Sequence, residues 1–142
     1  MTTVEIPYSP RPLQAELHNA LDDHRFAVVV THRRFGKTVC AINHLLKAAV
    51  LCDLPNPRFA YLSPTYRQSK AVAFDYLKTF AGAIPGAKFH ETELRCDLPN
   101  GARISLLGAE TPASLRGIYL DGCVIDEVAD CPESVFAEVI RP

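Results

Sequence analysis

The stretch Thr31-His32-Arg33-Arg34-Phe35-Gly36-Lys37-Thr38 constrains this chain more than any other. It follows the apolar, valine-rich run Phe26-Ala27-Val28-Val29-Val30 and leads into Val39-Cys40-Ala41-Ile42-Asn43-His44-Leu45-Leu46-Lys47, whose apolar residues recur at helical spacing. Strand, tight loop and helix in that order are the setting in which a Gly-Lys-Thr triplet grips phosphate. Gly36 lets backbone N–H groups come close to an anion because it has no side chain in the way. Lys37 supplies a point charge for β- and γ-phosphates, and the Thr38 hydroxyl is a ligand for Mg²⁺. The first helical turn adds unpaired N–H groups and the positive end of the helix dipole. The usual pattern opens on glycine, and Thr31 stands there instead.

A second stretch complements the first. Gly122-Cys123-Val124-Ile125 reads as an apolar strand that ends in two carboxylates, Asp126 and Glu127. Successive side chains of a strand point to opposite faces, so the pair can serve separate purposes. Asp126 suits Mg²⁺ beside Thr38. Glu127 suits a water near the γ-phosphate, which it would orient or deprotonate. The plain alternative, an acidic pair capping the next helix, is less needed because Asp130 and Pro132 already supply a helix start.

The bulk properties leave room for one domain. The chain has 142 residues, 48% hydrophobic and 22% charged, with a net charge of −1. Such a balance lends no support to nucleic-acid binding through overall charge, and any DNA contact would rest on a local basic patch. No apolar run reaches the ~20 residues of a membrane helix, and Met1-Thr2-Thr3-Val4-Glu5 lacks the character of a signal peptide. The five cysteines contain no Cys-x-x-Cys pair, which points to reduced thiols in a cytosol. Cys40 and His44, four apart on one helix, are read as packing residues.

Between the two motifs the elements can be read in order. Pro12 fits the first turn of a helix whose apolar stripe is Leu13, Leu17, Ala20 and Leu21. Gln14 lies at its start, an amide able to read both a donor and an acceptor on adenine. The helix after Lys37 is expected to end near Cys52, ahead of Pro55 and Pro57. Phe59 to Ser63 reads as a strand. Thr65-Tyr66-Arg67-Gln68 has the form of a capping box, and the helix it opens stops near Gly82 and Pro85. Leu94 to Leu98 and Ile104 to Leu106 alternate around Asn100-Gly101 as a hairpin. Gly108 to Tyr119 reads as loop and carries Ser114-Leu115-Arg116-Gly117. The number of elements between Lys37 and Asp126 leads us to expect an extra strand between the loop strand and the acid strand.

Three stretches together, T-H-R-R-F-G-K-T, Y-L-S-P-T-Y-R-Q-S-K and S-L-R-G-I-Y-L-D-G-C-V-I-D-E-V-A, resemble the ATPase domain of tailed-phage large terminase subunits, the motors that package viral double-stranded DNA. The resemblance implies an α/β fold: a three-layer P-loop NTPase domain with a mainly parallel central sheet in the additional-strand order, incomplete at its C-terminus. It implies ATP and Mg²⁺ as cofactors. Gln14 matches the adenine-contacting glutamine. Residues Thr31, His32, Arg33, Arg34, Phe35, Gly36, Lys37 and Thr38 match the nucleotide-binding loop, and Thr38 and Asp126 the metal side. Glu127 matches the catalytic glutamate. Arg33 matches an arginine inside the loop that stabilises transition-state charge, and Arg116 a position that acts across a subunit boundary in some members; the arginine finger is expected to be one of the two and not both. Partners implied are double-stranded DNA, a portal protein and a small terminase subunit, with a homo-oligomeric ring at full length, no membrane, and the host bacterial cytoplasm as the site of action.

Family members continue well beyond the acid strand, whereas this sequence ends at Pro142. We therefore expect a single ATPase domain over residues 1–142, in a deliberately shortened chain, a degraded prophage gene or a partial chain, with the nuclease domain absent, no DNA cleavage, and ATP bound with turnover open to loss. Two rival readings use the same residues: a helicase-like P-loop DNA translocase, and an inactive nucleotide-binding remnant.

Overall fold

The computed structural model describes residues 3–110, 115 and 117–140. Helix α1 (Pro12–Asp23) starts on its proline, and the Gln14 side chain accepts from the Arg11 N–H to cap the first turn. Helix α2 (Lys37–Leu51) follows Gly36, and its end is closed by the Asn100 amide, which donates to the carbonyls of Ala49 and Val50. Strand β1 (Arg58–Ser63) leads to the expected capping box, with Gln68 N–H on the Thr65 hydroxyl and Thr65 N–H on the Gln68 amide, both at 3.2 Å. The helix that begins there runs as α3 (Tyr66–Gln68), a wide turn over Ser69–Ala73, and α4 (Phe74–Ala81). Strands β2 (Lys88–His90), β3 (Arg95–Asp97), β4 (Arg103–Gly108) and β5 (Gly122–Ile125) complete the sheet.

The sheet order is β2-β3-β4-β1-β5. Its centre is parallel, with Tyr61 opposite Leu106 on one side and Val124 on the other. The margin is an antiparallel meander, Phe89 facing Cys96 and Cys96 facing Ile104. The hairpin foreseen at Asn100-Gly101 forms, but with Leu98 and Ala102 hydrogen-bonded to each other, so Pro99, Asn100 and Gly101 make up the loop. Gly101, at φ +90°, supplies the left-handed residue such a loop needs. Strand β2 escaped the sequence reading because Lys88-Phe89-His90 is too short to show alternation.

Alternation along β1 divides the interior in two. Phe59 and Tyr61 face α2 and α4, packing with Ile42, Leu46, Phe74, Leu77 and Ile104. Ala60 and Leu62 face the other way, onto Ala109, Leu115 and Val135. Among the described residues the long helices therefore lie on one face, and the opposite face carries loop and the short wide helix Val135–Ile140. The expected layer of helices on that second face is thus formed only in part.

A second departure concerns the run 26–30. It takes no place in the sheet, and Val28 and Val30 are 88% and 89% exposed. Valines favour strands only where a neighbouring strand supplies hydrogen bonds and a surface to pack on. Here β5 ends the sheet, and no described segment pairs with its outer edge. The expected order, with β1 between a loop strand and the acid strand, is thus not formed: β1 sits between β4 and β5, and the loop is approached by extended, solvated chain.

Candidate functional site

The loop is shaped by its own backbone and by α1. His32 accepts from the Arg34 N–H at 3.2 Å, which tightens Arg33–Phe35 into a single 3-10 turn. Phe35 is the buried anchor, its ring edge-on to that of His32. Gly36 then takes φ +83°, and α2 begins with the Cys40 N–H on the Gly36 carbonyl. The reversal leaves the N–H groups of Lys37, Thr38 and Val39 at the positive end of a helix dipole with no carbonyl of their own helix to bond. Arg33 and Arg34 are exposed, Lys37 and Thr38 half-buried.

Gln14 is 4% exposed and lies against this loop. Its amide nitrogen donates to the carbonyls of Phe35 and Gly36, at 3.2 Å each. The Arg11 guanidinium donates to the carbonyls of Arg34, at 3.1 Å, and Phe35. The two side chains hold the outer curve of the loop so closely that a Cβ at Gly36 would sit 2.7 Å from both Arg11 Nη2 and Gln14 Nε2. Gln14 in this structure braces the loop, with its amide spent on backbone. The Thr31 hydroxyl, at the position where the usual pattern has glycine, is buried without a hydrogen-bond partner.

The acid strand meets the loop helix through a residue the sequence did not single out. The Tyr61 hydroxyl donates to Asp126 Oδ2 at 2.6 Å, with the Thr38 hydroxyl nearby. Burial and the Asp126 carboxylate push this phenol well above its usual range, so it stays an O–H donor. Asp126 Oδ1 accepts from the Glu127 N–H at 2.9 Å. Glu127 adopts φ +51° and faces solvent, so the two carboxylates part company by a left-handed turn rather than by strand alternation. Tyr61 went unnoticed because, inside Phe59-Ala60-Tyr61-Leu62, it reads as one more core residue; the usable signal was a lone hydroxyl in an otherwise apolar strand. Arg11 carried none, since its partners are backbone carbonyls.

Thr38 and Asp126 thus come together, and Gln14 joins Phe35 and Gly36. Arg33 and Glu127 are displayed to solvent near these groups in the chain. Arg116 lies outside the described residues. The oxygen pair of Thr38 and Asp126 suits a hard cation such as Mg²⁺, which takes few protein ligands and completes its shell with phosphate and water. No group of three or more His, Cys, Asp and Glu side chains able to hold a metal by themselves occurs among the described residues. The Cys40–His44 pair is packing: Cys40 Sγ lies 3.4 Å from His18 Nε2, His18 stacks on His44, and Tyr8 closes the cluster at 2.8 Å from His18.

A family model described as terminase large subunit, T4likevirus-type, N-terminal, matches residues 29–142. No curated protein matches the chain. Among solved structures it is similar to the large terminase ATPase domain of Thermus phage P74-26, with a TM-score of 0.70 and 23% identity over 96% of this chain and 61% of that one. It is also similar to the large terminase of a thermophilic bacteriophage, with a TM-score of 0.61 and 22% identity over 76% of this chain and 28% of that one. At such identities the likeness is one of fold. The chain spans about six-tenths of the length of the Thermus phage domain.

Proposed function

The chain belongs to the T4likevirus-type terminase large-subunit family, matching its N-terminal region, and from that membership we propose that it is an Mg²⁺-dependent ATPase domain whose turnover drives double-stranded DNA into a phage capsid. The observation that supports this reading most is that Asp126, held by the Tyr61 hydroxyl, lies on the side of Thr38. Two motifs almost ninety residues apart in the sequence reach one spot at the N-terminus of α2.

In this reading the N–H groups of Lys37, Thr38 and Val39 and the Lys37 ammonium hold the β- and γ-phosphates. Thr38 and Asp126 hold Mg²⁺, which neutralises phosphate charge when bound. Residues Thr31 to Phe35 shape the loop around the phosphates. Glu127, free to turn on its exposed segment, orients the attacking water and takes its proton. The γ-phosphate receives one guanidinium, either from Arg33 within the chain or from Arg116 across a subunit boundary in a ring. Gln14 reaches adenine only after exchanging its loop carbonyls for the base. A portal protein, a small terminase subunit and DNA are the partners of the longer assembly. No described helix is long and apolar enough to cross a membrane.

Steady-state phosphate release and ADP binding test the reading together. Wild-type chain should bind ADP more tightly with Mg²⁺ than in EDTA. Lys37→Ala should abolish binding. Glu127→Gln should keep binding and lose about 10²–10⁴-fold in any turnover, the usual contribution of a positioned base. A wild-type chain that binds neither ATP nor ADP at millimolar concentration would refute it.

A further inference from the structure

Strand alternation sets Tyr61 on the same side of the sheet as α2, and the parallel register sets it opposite Val124. Asp126 is two residues beyond Val124, just past the end of β5, where its N–H still bonds the Leu62 carbonyl at 2.9 Å, and by alternation it points to the same side. A short side chain at position 61 would not span that diagonal; a tyrosine does, and its oxygen arrives 2.6 Å from Asp126 Oδ2. Tyr61 itself is 1% exposed, clamped among the core residues of α2 and α4, so its hydroxyl has a fixed position.

That hydroxyl has one hydrogen to give and lone pairs with which to accept. It gives the hydrogen to Asp126, with the Thr38 hydroxyl nearby. The Glu127 N–H holds the other Asp126 oxygen at 2.9 Å. Both carboxylate oxygens are therefore anchored, yet each keeps a lone pair. The result is a carboxylate anchored at both oxygens, beside the Thr38 hydroxyl, before any cation arrives.

We infer that Tyr61 is a positioning residue that pre-sets Asp126 for a nucleotide-bound divalent cation. The inference rests on the nucleotide-site reading above and adds to it a residue that none of the motifs includes. Ligand-orienting partners of this kind typically account for 10–100-fold in metal affinity. Tyr61 touches neither phosphate nor metal, so its loss should act on cation affinity and leave the cation-free contacts of the nucleotide alone.

The test uses the whole 142-residue chain and two measurements: Mn²⁺ binding in the presence of ADP, followed by electron paramagnetic resonance of free Mn²⁺, and ADP binding in EDTA. Tyr61→Phe keeps the ring and its packing and removes only the hydroxyl. We expect the Mn²⁺ dissociation constant to rise on the order of 10-fold, with ADP affinity in EDTA unchanged within about twofold. In an Asp126→Asn background the same substitution should have little further effect, because the carboxylate it orients is gone. Unchanged Mn²⁺ affinity in Tyr61→Phe would overturn the inference. So would equal weakening of both measurements, or a variant that fails to fold, since either marks a purely structural hydroxyl. Wild-type chain that binds no ADP under any condition would instead remove the nucleotide site, and this role with it.

Discussion

Replacing Gln14 by leucine separates bracing of the loop from recognition of a base. Leucine has a similar volume, so packing beneath the loop is retained and the amide alone is lost. The amide makes bonds to Phe35 O and Gly36 O at 3.2 Å and accepts from Arg11 N–H at 2.9 Å. A net hydrogen bond contributes about 0.5–1.5 kcal/mol, and a buried group left orphaned costs more, about 1–3 kcal/mol. No partner is orphaned here. The Phe35 carbonyl keeps Arg11, the Gly36 carbonyl keeps the Cys40 N–H, and Arg11 is exposed to water. The expected loss is therefore near the low end for such a set, about 2 kcal/mol. For a domain of this size that corresponds to a fall in melting temperature of about 4–8 °C. Urea unfolding followed by far-ultraviolet circular dichroism measures it directly, an apt probe because the chain has no tryptophan. A loss below about 0.5 kcal/mol, accompanied by a tenfold fall in ADP affinity, would show that Gln14 acts on the nucleotide and not on the loop.

Gly36→Ala should cost about 1–2 kcal/mol for a left-handed alanine, with a further loss as its Cβ displaces Arg11 and Gln14, and ADP binding should weaken in parallel; unchanged urea midpoints would contradict the clamp geometry. The His18–His44 pair predicts a pH dependence. Their Nδ1 atoms are 2.9 Å apart, and Tyr8, Cys40, Asp22 and Lys47 surround them. Burial holds both imidazoles below the ordinary 6.5, with His44 adding to the effect on His18. A histidine whose folded pKa is lowered binds fewer protons in the folded state than in the unfolded one. Its stabilising contribution is complete above about 6.5 and fades as the pH falls from there. Unfolding midpoints measured from pH 8 to 5 should stay level and then drop below about 6.5, and His18→Gln should flatten that drop; an identical slope in the variant would exclude the pair as its origin. The Asp22 carboxylate, lowered from 3.8 by Lys47, acts in a more acidic window and does not confuse the result.

The reach of sequence reasoning differed from element to element. Helix α1 was legible because Pro12 and its apolar stripe are local signals, and α3 because Thr65 and Gln68 satisfy each other within one turn. The Gly36 turn and the start of α2 at Lys37 followed from the loop motif, and the acid strand from four apolar residues ahead of Asp126. Each of these is decided by residues no more than a few positions apart. The run 26–30 misled for the complementary reason: its composition states what it would do beside a partner strand, and whether one lies alongside is not local information.

The amino-acid sequence by itself determined which side chains could bind phosphate and metal, where the helices begin, and which residues alternate into the sheet, because these depend on backbone sterics, caps and periodicity. Only the tertiary structure decided which of those side chains meet. It spent the Gln14 amide on the loop, set Glu127 in a left-handed turn, and brought the Tyr61 hydroxyl onto Asp126. A hydrogen bond between residues 65 positions apart exists only once register and packing have fixed both ends.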